Sequence, residues 1–310
     1  MIGVRVMKVV LCTAYGPPEV LKIGSLPKPV PNPDEVLVRI HATAVNSGDI
    51  RTRALDVKGP MKLAMRLVLG WGKPRNPVLG TVYAGVVEQA GASVRSFKAG
   101  DRVFGCTPGF KFGCYAEYIA LKEDSAMTVM PEKASFDEAV SLLFGGTTAL
   151  YFLQKAAPIY GQSILIYGAS GSVGTSAVQV ARNLGLVITA VSSGKNRDMV
   201  TLLGTDTFLD YTSPGFWDRP LQYDVVFDAV GKLSKAELRK LTREGGKTLT
   251  VGAMDVAKET KGQLEQLKAW YDSGKLKPVI DRTYPLEEII EAHAYADQGH
   301  KVGNVVIEVV

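Results

Sequence analysis

The stretch Ile164-Leu165-Ile166-Tyr167-Gly168-Ala169-Ser170-Gly171-Ser172-Val173-Gly174 constrains this chain more than any other. An apolar run ends in three glycines spaced G-x-x-G-x-x-G. A helix-patterned segment, Val173 to Leu184, follows, and then a second apolar run from Leu186 to Val191. Strand, tight turn, helix, strand is the unit that lays a pyrophosphate on a helix N-terminus, where free N–H groups and the helix dipole favour an anion. Three glycines near a strand mean little alone. Between a buried-type strand and a helix lacking early acids, they predict a dinucleotide-binding turn rather than a tight corner that binds nothing. Its expected contact residues are Gly168, Ser170, Gly171, Ser172, Val173 and Gly174.

The end of the second strand predicts which dinucleotide. Such folds usually place a carboxylate there to accept hydrogen bonds from the ribose 2′-hydroxyl, and a carboxylate repels a 2′-phosphate. No Asp or Glu occurs from Ala139 to Arg197, and the strand opens into Ser192-Ser193-Gly194-Lys195-Asn196-Arg197. Ser193, Lys195 and Arg197 offer a hydroxyl and two cations suited to a phosphate. The expected cofactor is NADPH rather than NADH. The competing reading has Lys195 and Arg197 simply facing solvent.

Around this unit the chain changes character once. In the first third, Glu35 to Ala42 alternates, with Val36, Val38 and Ile40 on one face and Arg39 and His41 on the other. Short strand-like runs with Gly and Pro punctuation continue through Tyr115–Ile119 and suggest a small, partly closed β domain. Past Met130-Pro131, Ser135-Phe136-Asp137-Glu138 has the form of a capping box ahead of an apolar run. Strands at 164–167, 186–191, 207–211, 224–228 and 247–251 then alternate with helices, which predicts an α/β fold with a doubly wound parallel sheet. Helices at 263–273 and 286–298 follow. A closing strand, Asn304 to Val309, is out of place unless it returns to the first domain.

Composition narrows the class. A chain of 310 residues with 46% hydrophobic and 22% charged residues has room for two domain cores. The net charge of +5 is spread along the chain, so no nucleic-acid partner is expected. Three cysteines, Cys12, Cys106 and Cys114, with no C-x-x-C pair, fit a reducing compartment. The first residues are broken by charge before a signal-peptide core forms, and no run is long enough for a membrane span. These features predict a cytoplasmic protein.

With these residues in view, the chain resembles the medium-chain dehydrogenase/reductase superfamily, in its zinc-free, quinone oxidoreductase-like branch. The resemblance runs through Tyr15-Gly16-Pro17-Pro18-Glu19-Val20-Leu21, Asn32-Pro33-Asp34-Glu35-Val36-Leu37-Val38, Ala44-Val45-Asn46-Ser47-Gly48-Asp49 and Pro77-Val78-Leu79-Gly80. It continues through Ala99 to Gly105, Tyr115-Ala116-Glu117-Tyr118, Gly146-Thr147-Thr148-Ala149 and Gly303-Asn304-Val305-Val306. It implies a Rossmann domain over 130–274 and a GroES-like β domain over 1–129 and 275–310, with the cofactor in the cleft between them. It further implies that Thr148, Val230 and Gly252 line the nicotinamide end. Tyr211 would join Lys195 at the 2′-phosphate, Asn304 would approach from the returning tail, and Asn46 would sit beside the nicotinamide ribose and substrate. For Asn46 the alternative is a turn residue whose side chain bonds the local backbone.

Zinc-dependent relatives place a Cys shortly before the Gly-Asp pair and use a Gly-His-Glu. Here those positions fall near Asn46-Ser47 and at Gly80-Thr81-Val82. Tetrahedral zinc needs three or four N or S ligands, so no metal is expected. Without a Lewis acid the resemblance implies reduction of an activated acceptor, a small lipophilic quinone or α,β-unsaturated carbonyl. A zinc-free reductase of simple carbonyls or alcohol dehydrogenase, and a non-catalytic NADPH-binding regulatory protein, are the alternatives. No tyrosine stands in Ile50 to Leu55, where some enoyl-reducing relatives carry a proton donor, so the acid is unassigned. The apolar, cationic segment Met61 to Trp71 reads as a lid over the cleft or as a contact surface, with its place between cleft-forming segments favouring the lid. Val251 to Asp255 runs almost directly toward the next helix where longer relatives insert a dimer-forming strand. Both a monomer and a homodimer are therefore open.

Overall fold

The computed structural model describes residues 5–57, 59–109, 111–252 and 255–310. The first part contains β1 (Val6–Cys12), β2 (Leu21–Pro27), β3 (Glu35–Val45), β4 (Val82–Ala90), β5 (Arg102–Cys106), β6 (Tyr118–Lys122) and β7 (Met127–Val129). Two helices, α1 (Ser47–Ala54) and α2 (Pro60–Leu69), lie between β3 and β4. Next come α3 (Phe136–Ser141), α4 (Leu143–Ala156), β8 (Ser163–Tyr167), α5 (Ser172–Asn183), β9 (Val187–Ser192), α6 (Arg197–Leu202) and β10 (Thr207–Asp210). β11 (Tyr223–Asp228), α7 (Lys235–Leu241), β12 (Thr242–Thr250), α8 (Lys261–Asp272), β13 (Ile280–Pro285), α9 (Ile289–Asp297) and β14 (Asn304–Glu308) complete the chain.

Five strands form a wholly parallel sheet in the order β10-β9-β8-β11-β12. Ile164, Leu165 and Ile166 of its central strand are fully buried, as expected for a strand covered on both faces. The order steps outward in both directions from β8, so a crevice opens at the carboxyl end of that strand, where the glycine turn lies. α5 follows the turn with Val173, Ala177, Val178, Val180 and Ala181 buried at helical spacing. The capping box anticipated at Ser135 is present: its hydroxyl accepts from Glu138 N, and Glu138 accepts from Ser135 N.

The second sheet has the order β13-β14-β3-β4-β5-β7, with β6 also paired to β3, and a β1–β2 hairpin beside it. β14 runs antiparallel to β3, from Val305 opposite Val45 to Glu308 opposite Ala42. The closing strand thus returns to the first domain's sheet. This architecture is a doubly wound parallel Rossmann-type sheet joined to a GroES-like β unit.

The three glycines of the turn do different work. Gly168 has φ +80°, and a Cβ on Gly174 would lie 2.1 Å from the Gly168 carbonyl oxygen. Gly174 is therefore what lets α5 seat directly on the end of β8. Gly171 has φ −81°, open to any residue, and a Cβ there would meet nothing nearer than 3.7 Å. Gly174→Ala should lower unfolding stability by about 1–3 kcal/mol through overpacking. Gly171→Ala should leave it unchanged or slightly higher, as read from urea midpoints of both variants.

Candidate active site

A cavity of about 360 Å³ lies between the two sheets. Of the residues expected to bind cofactor, Thr148, Gly171, Ser172, Val173, Val230 and Gly252 line it. Ser47, Gly48, Ile50 and Arg51 of α1 form the facing wall, and Ala296, Gly299 and Lys301 come from the returning tail. Gly168 and Gly174 support the turn from beneath. Ser193, Lys195, Arg197 and Tyr211 gather at the end of β9, outside this cavity. Asn46 and Asn304 lie buried behind its walls.

The turn suits an anion. α5 starts at Ser172 with no side-chain cap and no acidic residue in its first turn. The fold itself does not require Gly171 to lack a side chain, so the open approach there is left for a ligand. A pyrophosphate fits both facts, by direct access to the backbone and to the positive end of the helix dipole.

At the end of β9, Lys195 and Arg197 are exposed and Ser193 is half-buried. The Arg197 guanidinium stacks over the Phe208 ring at 4.6 Å. Tyr211 is exposed, with its ring 5.9 Å from that of Tyr167. A carboxylate does arrive here, from the neighbouring strand: Asp210 pairs in register with Ser192. It accepts from Thr212 Oγ1 at 2.7 Å and Thr212 N at 2.8 Å. These two bonds hold its carboxyl below the usual range, helped by the Gly194 N–H and by Arg197. Asp210 therefore ties down the loop that carries Lys195. Reading along β9 alone could not find it, because register between strands brings it in.

Asn46 is the N-cap of α1. Its Oδ1 accepts from Gly48 N at 2.8 Å and Asp49 N at 3.1 Å, and its Nδ2 donates to Thr81 Oγ1 at 2.7 Å. Thr81, where the Gly-His-Glu of zinc-dependent relatives falls, thus meets Asn46, near the position of their Cys, in a neutral hydrogen bond. Among the described residues, no group of three or more His, Cys, Asp or Glu is placed to hold a metal. With its oxygen committed to the cap, Asn46 keeps one amide N–H beyond these bonds.

A buried polar chain lies beneath that cap. Asp49 Oδ2 accepts from Asn46 N at 3.3 Å, and burial pushes its carboxyl up to about 7. The Tyr115 hydroxyl lies 3.1 Å from His293 Nε2, and His293 Nδ1 lies 3.2 Å from Arg53 Nη1. Arg53 in turn bonds Asp297 at 2.6 Å. Burial pushes His293 down to about 3, so it is neutral and bridges a phenol and a guanidinium. His41 is instead stacked on Phe136 at 4.2 Å, in a packing role.

The tail closes the cavity. Gly303 N donates to Ser170 O at 2.8 Å, so Gly303 lies against the glycine turn. The Asn304 amide is fully engaged: Oδ1 accepts from Ser172 Oγ at 2.6 Å, and Nδ2 donates to Ser141 O and Val279 O. It therefore acts on the cavity through Ser172. Lys301 Nζ donates to Gly303 O at 2.7 Å, and burial lowers its ammonium to about 8, against the raising effect of Asp281. Arg51, Lys232 and Lys301 are cavity cations that no motif flagged. Glu259 joins them with a carboxyl raised by burial. The lid expectation is not met: none of the described side chains of the Met61–Trp71 segment lines this cavity, and Leu63, Leu67 and Trp71 face outward.

Asp49 makes native stability pH-dependent with a definite sign. Its ordinary value is 3.8 and its buried value about 7. Between them the native chain holds a proton that the unfolded chain has released, so stability falls as pH rises through that window. Asp49→Asn keeps an acceptor for Asn46 N and abolishes the titration. Its stability relative to wild type should rise by up to about 4 kcal/mol between pH 4 and 8, read from denaturant midpoints across pH.

Comparison with known proteins agrees with this geometry. Residues 32–132 match the alcohol dehydrogenase GroES-like domain family and residues 253–307 the zinc-binding dehydrogenase family. The 2-methylene-furan-3-one reductase of Solanum lycopersicum is 34% identical, covering 97% of this chain and 79% of that protein. The quinone oxidoreductase of Homo sapiens is 31% identical over 94% of each. The solved quinone oxidoreductase of Coxiella burnetii superposes with a TM-score of 0.83 at 26% identity, covering 99% of this chain and 100% of that one. The chain belongs to the medium-chain dehydrogenase/reductase superfamily, in its quinone oxidoreductase-like branch.

Proposed function

We propose that this protein is an NADPH-dependent reductase of quinones or α,β-unsaturated carbonyls that works without a metal. The observation that carries the reading is the pairing of two features across one cavity. One wall offers a pyrophosphate-ready helix start at Gly171–Val173. Behind the other, formed by Ser47, Gly48, Ile50 and Arg51, Asn46 bonds Thr81, where the Gly-His-Glu of zinc-dependent relatives falls. The named activities of similar proteins support it: furanone, alkenal and quinone reduction. The division into a substrate domain (1–129 and 275–310) and a cofactor domain (130–274) is part of the same proposal, supported by the pairing of β14 with β3.

When bound, NADPH supplies a hydride to the electron-poor carbon of the acceptor. Gly171, Ser172 and Val173 hold the pyrophosphate. Ser193, Lys195, Arg197 and Tyr211 hold the 2′-phosphate, and Thr148, Val230 and Gly252 border the reacting end. Apolar Ile50, Phe144 and Val256 line the same cavity and exclude water around a lipophilic acceptor. The cavity cation Arg51 on α1 is a donor for an acceptor oxygen that gains negative charge, and Asn46, from behind the wall, positions the start of α1. Lys301, on Gly303 O beside the turn, adds a cation to the pyrophosphate site. Three free, buried cysteines support a cytoplasmic location. Among the described residues no helix is long and apolar enough to cross a membrane. A monomer and a homodimer both fit; the segment that bears on the dimer strand includes Ala253 and Met254, which lie outside the described residues.

An NADPH-oxidation screen against quinones, enones and saturated aldehydes tests the reading. Turnover of quinones or enones supports it. Activity on saturated aldehydes alone favours a simple-carbonyl reductase, and tight NADPH binding with no turnover favours a regulatory protein. Lys195→Ala should weaken NADPH by about ten- to hundredfold, from the loss of a charge-assisted hydrogen bond, and leave NADH unchanged. Equal losses for both would remove the 2′-phosphate assignment. Lys301 carries its charge below about pH 8 and loses it above, so NADPH affinity should fall as pH rises through that value. Calorimetric titrations at pH 7 and 9 should show that drop in wild type and a flat response in Lys301→Met.

A further inference from the structure

α2 and the residue turn that follows it present an apolar face that the cavity does not use. Leu63 and Leu67 stand one turn apart on α2 and are 54% and 61% exposed; Val68 beside them is 51% exposed, and Trp71, just past the helix end, is 63% exposed. The face is held outward by firm anchors. Leu69 and Gly70 are buried, Tyr15 Oη donates to Gly70 O at 2.9 Å, and Arg75 donates to Leu67 O and Leu69 O at 2.7 and 2.6 Å. A group of large apolar side chains fixed in solvent marks an interaction surface.

Its charge indicates the partner. No Asp or Glu occurs from Val57 to Val87. Exposed Lys62, Lys73 and Arg75 flank the apolar residues, and the Arg66 guanidinium lies 5.7 Å from the Trp71 ring. Asn76 Nδ2 donates to Lys111 O at 2.5 Å, which ties the loop carrying another exposed lysine to the same end. Protein interfaces are depleted in lysine. An apolar strip with a boundary tryptophan and a cationic rim is the pattern of a helix lying in a lipid headgroup layer, its apolar side chains entering the acyl boundary and its cations at the phosphates.

We propose that the α2 face, Leu63, Leu67, Val68 and Trp71 with Lys62, Arg66, Lys73 and Arg75, docks the protein on anionic membrane surfaces. This does not rest on the reductase reading. The test is co-sedimentation of the full chain with vesicles of phosphatidylcholine containing about one-third phosphatidylglycerol, against vesicles of phosphatidylcholine alone. Wild type should pellet with the anionic vesicles only, release in high salt, and show a blue shift of tryptophan emission that Trp71→Phe removes. Leu63→Gln with Leu67→Gln should abolish binding. Each of Lys62→Glu and Lys73→Glu should weaken it by about fivefold or more. Unfolding midpoints and NADPH affinity should be unchanged in all of them, since these side chains are exposed and outside the cavity. Wild type that stays in the supernatant, or variants that pellet like wild type, overturns the proposal. Concentration-dependent dimerisation lost in the double variant would assign the face to a second copy of this chain and equally overturn it.

Discussion

The cavity depends on a tail that must come back. Gly303 N bonds Ser170 O inside the glycine turn, and one residue later the Asn304 amide joins Ser172, Ser141 and Val279. Each hydrogen bond contributes a net ~1 kcal/mol, but an amide this buried makes them interdependent, because losing one partner strands the others away from water. Farther along α5, buried Gln179 repeats the device: its Nε2 donates to Lys277 O and its Oε1 accepts from Lys277 N. The helix that opens on the glycine turn is thus fixed at two points to the segment that closes the β domain. Neither sheet can shift without moving the mouth of the cavity.

The same closure explains why Lys301 is unusual. An ammonium ordinarily stays in water, and here the returning backbone draws it inward and satisfies it with one carbonyl, Gly303 O. Desolvation then lowers its proton affinity, while Asp281 partly restores it. Asp281 is itself occupied, accepting from Tyr295 Oη and Val302 N. The cation therefore sits beside the glycine turn, where, on the proposed reading, a bound diphosphate would favour its charged form.

What could be read from the sequence was what is local. Gly168, Gly171 and Gly174 lie within one turn, and their spacing carries its own geometry. Ser135 to Glu138 announced its cap in four residues, and the central strand of the parallel sheet, Ile164 to Tyr167, announced itself as a continuous apolar run. What escaped depends on register and return. Asp210 reaches the β9 loop only because β10 pairs with β9 at Ser192. Arg51 reaches the cavity because α1 places it beside Gly252, where an added Cβ would lie 2.7 Å from its guanidinium. Lys301 gains its burial from the closing tail. The outward turn of α2 was equally hidden, since an amphipathic segment has the same pattern whether its apolar side faces a cleft or solvent.

Asn46 shows how a site keeps its frame when the ligands at a metal position change. A thiolate near position 46 and an imidazole at 81 would be held by a cation. An amide and a hydroxyl hold each other at 2.7 Å with no charge to neutralise. The capping bonds from Gly48 and Asp49 then fix the start of α1, and Asp49 returns a bond to Asn46 N. That reciprocal cap draws a carboxyl fully out of water, and the neighbouring Tyr115, neutral His293 and Arg53 connect it through the interior to Asp297, one turn past His293 at the end of α9. α1 is consequently anchored at its start by neutral hydrogen bonds and at its end by a buried guanidinium. Its cavity-facing residues, Ser47, Gly48, Ile50 and Arg51, are thus positioned opposite the glycine turn by bonds within the fold itself.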